Sequence, residues 1–226
     1  MVRKSDEHGT YIRQGIPEKF VTDLRIRKGI DTTPDELLEH YRSIYDFTGD
    51  TRKANEAFFA KKIILVEGQS EALILPYFFE LSYYDFIGKG ISIVRCGDKG
   101  QLDAFYRLYS EFGIPCYIIF DGDKQNQGTE DKANTISKNH DIIGIFEDVV
   151  NFPETEVKDS YLVFETTLED NIGFEVGGNV KTLKLYRKTK EQIVTKDQLP
   201  EWVEQIIEKI EALPQTASSI LKMEEI

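Results

Sequence analysis

Three short apolar runs constrain this chain more than any other feature: KIILVE (62–67), ISIVRC (91–96) and CYIIFDGD (116–123). The first is continuously apolar over strand length, the pattern of a strand buried on both faces of a parallel sheet. Between the runs lie EALILPYFFELSYY (71–84) and GQLDAFYRLYSEFG (100–113), which have helical length, the second stopped by Gly113. Strand–helix–strand–helix–strand demands right-handed crossovers and an α/β sheet flanked by helices. Ligands of such sheets bind outside the carboxyl ends of the strands. Glu67 and Asp121 stand at two of those ends.

The flanks read less sharply. Residues 1–33 are polar with no sustained period, and Thr33-Pro34-Asp35-Glu36 is a helix start with a capping hydroxyl and Pro at the first helical position. A second short helix is expected from Asp50 to Ala60. Beyond the third strand, DKQNQGTEDKAN (123–134) reads as a turn-rich loop and helix entry, and GIFEDVVNF (144–152) and SYLVFE (160–165) as further strands. Helices are expected near 167–174, 180–195 and 200–213. This divides the chain into a helical lead-in (1–60), an α/β core (61–165) and a C-terminal helical region (166–226).

Glu67, Glu71, Asp121 and Asp123 form two acid–glycine turns, each at the end of an apolar strand. Gly68 and Gly122 allow tight turns, so Glu71 falls in a first helical turn and Asp123 follows Asp121 by two positions. Turns favour Asp, Glu and Gly in any protein, so one such acid carries little weight. If the first and third strands are neighbours, all four carboxylates share one small volume, and their repulsion calls for protons or hard cations such as Mg2+ or Mn2+.

Other chemistries find no support. The chain has no GxxxxGK[ST] or GxGxxG; CGDKGQ (96–101) lacks the lysine–hydroxyl pair of a phosphate loop, and GKGISI (88–93) precedes its strand. No G-x-S-x-G elbow occurs. His8, His40 and His140 have no partners at ligand spacing, and Cys96 and Cys116 read as reduced core residues. A net charge of −12 argues against a passive basic coat for nucleic acid, though not against an enzyme whose carboxylates hold cations. No apolar run approaches the ~18–20 residues of a membrane span, and the start lacks a signal-peptide stretch, so a cytoplasmic chain is expected.

EAFFAKKIILVEGQSEALILP (56–76) followed by GIPCYIIFDGDK (113–124) resembles the Toprim domain of the OLD (overcoming lysogenisation defect) family of nucleases, over roughly residues 52–213. The resemblance implies a Toprim-like parallel sheet and DNA phosphodiester cleavage with two Mg2+ or Mn2+ ions. It matches Glu67, Glu71, Asp121 and Asp123 to the metal-binding acids. TTLEDNI (166–172) matches Glu169 to a further acid, and RKTKEQI (187–193) matches Lys188 to an active-site lysine. The family shows Lys-Pro there and this chain Lys188-Thr189, leaving Lys184 and Lys190 as rivals. A two-ion scheme built on these residues puts Asp121, immobilised at its strand end, between the ions, with Glu71 on one and Asp123 with Glu169 on the other; Glu67 ligates or transfers a proton, and Lys188 stabilises phosphate charge. The family pairs this module with an N-terminal ABC-type ATPase that carries a dimer surface, so such a domain in a longer chain is the expected partner, alongside DNA. Defence against phage or other invading DNA is the implied role. Two alternatives remain: primase-like nucleotidyl transfer with the same acids, and a non-catalytic acidic docking module.

Overall fold

The computed structural model describes residues 2–5, 9–12, 51–174 and 181–214. The helix expected after Thr33-Pro34 lies outside them. Near the start, β1 (Val2–Ser5) pairs antiparallel with β2 (Gly9–Ile12), Val2 opposite Ile12. The α/β region then runs α1 (Thr51–Ala57), β3 (Lys62–Val66), α2 (Gln69–Leu81), β4 (Ile91–Arg95), α3 (Leu102–Glu111), β5 (Cys116–Asp121) and α4 (Lys132–Ile143). It continues through β6 (Glu156–Val157), β7 (Tyr161–Phe164), α5 (Leu168–Asn171), α6 (Lys181–Gln192) and α7 (Glu201–Ala212).

Five strands form one sheet in the order β4-β3-β5-β7-β6. The first four are mutually parallel and β6 closes the edge antiparallel to β7. Neighbours β3 and β5 pair from Ile63 opposite Cys116 to Val66 opposite Ile119. That register puts the end of β3, with Glu67 next in the chain, beside Asp121 on the same rim.

Alternation along each strand sends side chains to two cores. Ile64, Val66, Tyr117, Ile119, Leu162 and Phe164 face α2, α6 and α7. Ile63, Leu65, Ile118, Phe120, Tyr161 and Val163 face α1, α3 and α4. On the first side Phe78 of α2 meets Trp202 of α7 at 5.8 Å between ring centroids, and Trp202 meets Phe164 edge-on at 5.2 Å. Truncating the fully buried Phe78 to alanine should cost about 3–5 kcal/mol, the ordinary range for losing a core aromatic.

One segment departs from the sequence reading, and one extends it. GIFEDVVNF (144–152) is not a strand: Gly144–Phe146 make a single 3-10 turn, and Glu147 adopts a left-handed backbone (φ 62°) that breaks an extended path. Phe146 instead stacks on Tyr161 at 5.3 Å and meets Tyr106 edge-on at 5.4 Å, so its apolarity serves a packed loop. The polar stretch from Asp123 is a 3-10 turn, Lys124–Gly128, leading into the full helix α4. The inward face of α4 is Thr135, Asn139, Ile142 and Ile143, half of it polar, which hides the apolar period.

Candidate metal centre

Glu67 leaves the end of β3 and Gly68 caps α2 with an extended backbone. The Gly68 N–H donates to Glu71 Oε2 at 3.0 Å, holding that carboxylate at the positive end of the helix. A Cβ on Gly68 would stand 3.1 Å from the same oxygen, so a side chain there would crowd the bond. Glu71 is only 4 % exposed, and burial raises its pKa, with the charge of Glu169 adding to the rise.

The second turn is tighter. The Gly122 N–H donates to the carbonyl of Phe164 at 2.6 Å, and a Cβ would lie 2.7 Å from that oxygen and 2.9 Å from the carbonyl of Glu165. Only glycine fits. Asp123 then takes a left-handed conformation (φ 55°), leaving the extended path that the i, i+2 spacing suggests. From α4, the Asn139 amide donates to the Gly122 carbonyl at 3.0 Å and the Asn151 carbonyl at 2.8 Å, strapping the turn from behind.

Asp121 is the hub. Its Oδ1 accepts from the Leu168 N–H at 3.0 Å, at the start of α5. Its pKa is pushed well above the usual range, first by burial and then by the charges of Glu71, Glu67, Asp123 and Glu169. Acids from three separate stretches of chain therefore act on one carboxylate. Glu67 rises to about 7, chiefly through burial, with Asp123 and Glu71 pushing the same way against Lys99. Its Oε2 is buried with no hydrogen-bond partner.

The outer acids are neutralised. Glu169, on α5, is 5 % exposed and accepts from Ser70 Oγ at 3.0 Å and Lys181 Nζ at 2.9 Å. Burial alone would raise it, yet the hydrogen bonds and charge of Lys181 together with Ser70 hold it below the usual range. Asp123 Oδ2 pairs with Lys99 Nζ at 3.0 Å, and the same ammonium donates to the Asp121 carbonyl.

The five acids singled out in the sequence thus meet on one rim. Lys188 stands elsewhere: it lies over the Phe174 ring at 5.1 Å, two turns along α6 from Lys181, or about 10 Å of helix. Lys190 lies over Tyr77 and Tyr186, and Lys184 is exposed. Among the described residues, Lys99 and Lys181 pair with these acids. Neither these nor Asn139 emerge from the sequence reading. The only local signal was Lys99's place in CGDKGQ, a loop at a strand end.

Among the described residues no group of three or more His, Cys, Asp or Glu forms a ready-made metal cage. The donor set nevertheless suits a hard divalent cation, because it is made of carboxylate oxygens, three of them on raised-pKa groups and one oxygen orphaned. Binding would require the carboxylates to give up protons.

Residues 58–123 match the family described as overcoming lysogenization defect protein-like, Toprim domain. The chain carries an OLD-like Toprim domain. The matched span holds Glu67, Glu71, Asp121, Asp123 and Lys99, whereas Asn139, Glu169 and Lys181 lie beyond it. Solved structures similar to the chain include the C-terminal region of the Burkholderia pseudomallei OLD protein, at 19 % identity and a TM-score of 0.44, covering 68 % of this chain and 98 % of that one. Another is the C-terminal region of the Xanthomonas campestris pv. campestris OLD protein, at 20 % identity and a TM-score of 0.41, covering 69 % and 94 %. No curated protein matches the chain. Among the described residues no helix is long and apolar enough to cross a membrane.

Proposed function

We propose that this chain is a Mg2+- or Mn2+-dependent DNA endonuclease that hydrolyses phosphodiester bonds with two ions. On this reading it is the catalytic half of an OLD-type ATP-dependent nuclease, partnered by an N-terminal ATPase domain and acting in defence or phage conflict. The observation that supports it most directly is the convergence of four carboxylate charges on Asp121 at the carboxyl rim of a parallel sheet. The Toprim match over residues 58–123 supports nucleic acid as the substrate class.

Glu71 and Asp121 would hold the cations, with Asp123 and Glu169 completing the set and Glu67 serving as a further ligand or as the proton-transfer group. Bound divalent ions supply Lewis acidity and a hydroxide available at neutral pH. Glu67, with a pKa of about 7 before any cation binds, is suited to accept a proton at its unpartnered Oε2. Lys181, on Glu169 at the mouth of α6, is placed to neutralise charge on a phosphate, a role for which Lys188 is the rival.

The test offers supercoiled plasmid with Mg2+ or Mn2+, against nucleoside triphosphates with a single-stranded template. Metal-dependent nicking or linearisation, lost in Asp121→Asn and in EDTA, supports the endonuclease. Template-directed incorporation would move the same acids to nucleotidyl transfer, and metal binding with neither reaction would leave a docking module.

A further inference from the structure

Lys99 is the least expected side chain in the Toprim domain. It is 2 % exposed, although lysine is almost never fully buried without a partner. It arises in the turn after β4, where Asp98 accepts from the Gly100 N–H at 2.8 Å and the Gly97 N–H donates to the Glu67 carbonyl at 3.0 Å. From there the side chain passes beyond the end of the intervening β3 to reach β5. Its ammonium ends on the Asp121 carbonyl and on Asp123 Oδ2, over the face of Phe120 at 5.5 Å. One cation thereby links the turn after β4 to the end of β5. The contact to Asp121 is through its main chain, leaving the carboxylate of that residue to the Leu168 N–H and the acidic rim.

We propose that Lys99 is a positioning residue of the acidic site, fixing the Asp121–Gly122–Asp123 turn in the form that receives a divalent cation. This rests on the metal-site reading above. Asn139 holds the same turn through the Gly122 carbonyl, so the turn is gripped from two directions; of these two side chains Lys99 is the one that reaches a carboxylate, that of Asp123, whose other oxygen accepts from Gln125 Nε2 at 3.0 Å. Groups that orient metal ligands in this way typically change metal affinity 10–100-fold when removed.

The sign of the effect separates this role from a purely electrostatic one. A positive charge beside an anionic site repels an incoming cation, so its loss on Coulomb grounds alone tightens binding. A positioning role gives the reverse. Calorimetric titration of Mn2+ into the 226-residue chain and into Lys99→Gln, with circular dichroism to verify folding, reads the difference. Affinity in Lys99→Gln is expected to fall about 10–100-fold, and Lys99→Arg, whose guanidinium donates to both oxygens, should recover most of the loss. Equal or tighter Mn2+ binding in folded Lys99→Gln overturns the proposal. If Lys99→Gln does not fold, a wild-type crystal soaked in Mn2+ decides. The ammonium should remain on both Asp121 O and Asp123 Oδ2, and its displacement from them would show a placeholder rather than a positioning residue. A wild-type chain that takes up no Mn2+ overturns the metal-site reading itself, an outcome distinct from normal uptake that is indifferent to Lys99.

Discussion

The inner and outer acids of the rim are chemically alike and electrostatically opposite. Glu67, Glu71 and Asp121 crowd together, Glu71 buried and the other two half-buried, with no ammonium hydrogen-bonded to their carboxylates among the described residues, and each is pushed toward its protonated form. Asp123 and Glu169 sit at the two flanks, each bonded to a lysine from a different element, and Glu169 is held ionised. The inner group thus stores repulsion that a cation would relieve, whereas the outer pairs brace the turns that present it. Removing an inner charge should relax the cation-free protein, and removing an outer partner should loosen it.

The largest expected effect comes from the centre of the inner group. Asp121→Asn keeps an acceptor for the Leu168 N–H and should lower DNA cleavage on the order of 10³-fold or more, as loss of a transition-state contact does. In EDTA its melting temperature should equal or exceed that of wild type. A marked drop would place Asp121 with the bracing residues and erase the distinction between the groups.

Next is pH. Glu67 goes from an unfolded value of 4.5 to about 7 in the folded chain, so between these limits the folded state holds the extra proton. Stability without metal should therefore fall as pH rises from about 4.5 to 7, by up to about 3 kcal/mol from this group. Glu71 and Asp121 act in the same direction. Calorimetric melts in EDTA at pH 5 and pH 8 measure the slope, and Glu67→Gln should flatten it. A slope unchanged by that substitution would mean that Glu67 is not held protonated by the inner group.

Two lysines sharpen the outer half. Lys181→Gln should slow cleavage about 10²–10³-fold, the range of losing one charge-stabilising group, while Lys188→Gln should change it less than about threefold. The reverse order, read from initial rates on plasmid, would return the charge-stabilising role to Lys188. The smallest effect is on stability: Glu169→Gln removes the charge facing Lys181 and should cost about 1 kcal/mol in a urea melt without metal, since Lys181 is half-exposed. A gain would move Glu169 into the inner group.

The sequence and the tertiary structure divide along these same lines. Four of the five acids could be read from the chain because their signal is local: an apolar strand, an acid at its end, a glycine to turn on. The five-stranded sheet was likewise legible in its first three strands, where apolar runs and helices alternate. At α4 only the helix entry was legible, because inward Thr135 and Asn139 dilute the apolar period, and the reading failed at 144–152, where alternation belongs to a loop closed by Phe146 on Tyr161.

Local order alone determined that two acid–glycine turns would sit at strand ends, because backbone geometry and burial act on neighbouring residues. Tertiary structure decided that β3 and β5 are adjacent, that Glu169 returns to the same rim, and that Lys99 and Lys181 rather than Lys188 meet the acids. Those outcomes depend on which distant surfaces pack together, and Coulomb forces of this strength arise only after packing has removed the water between them.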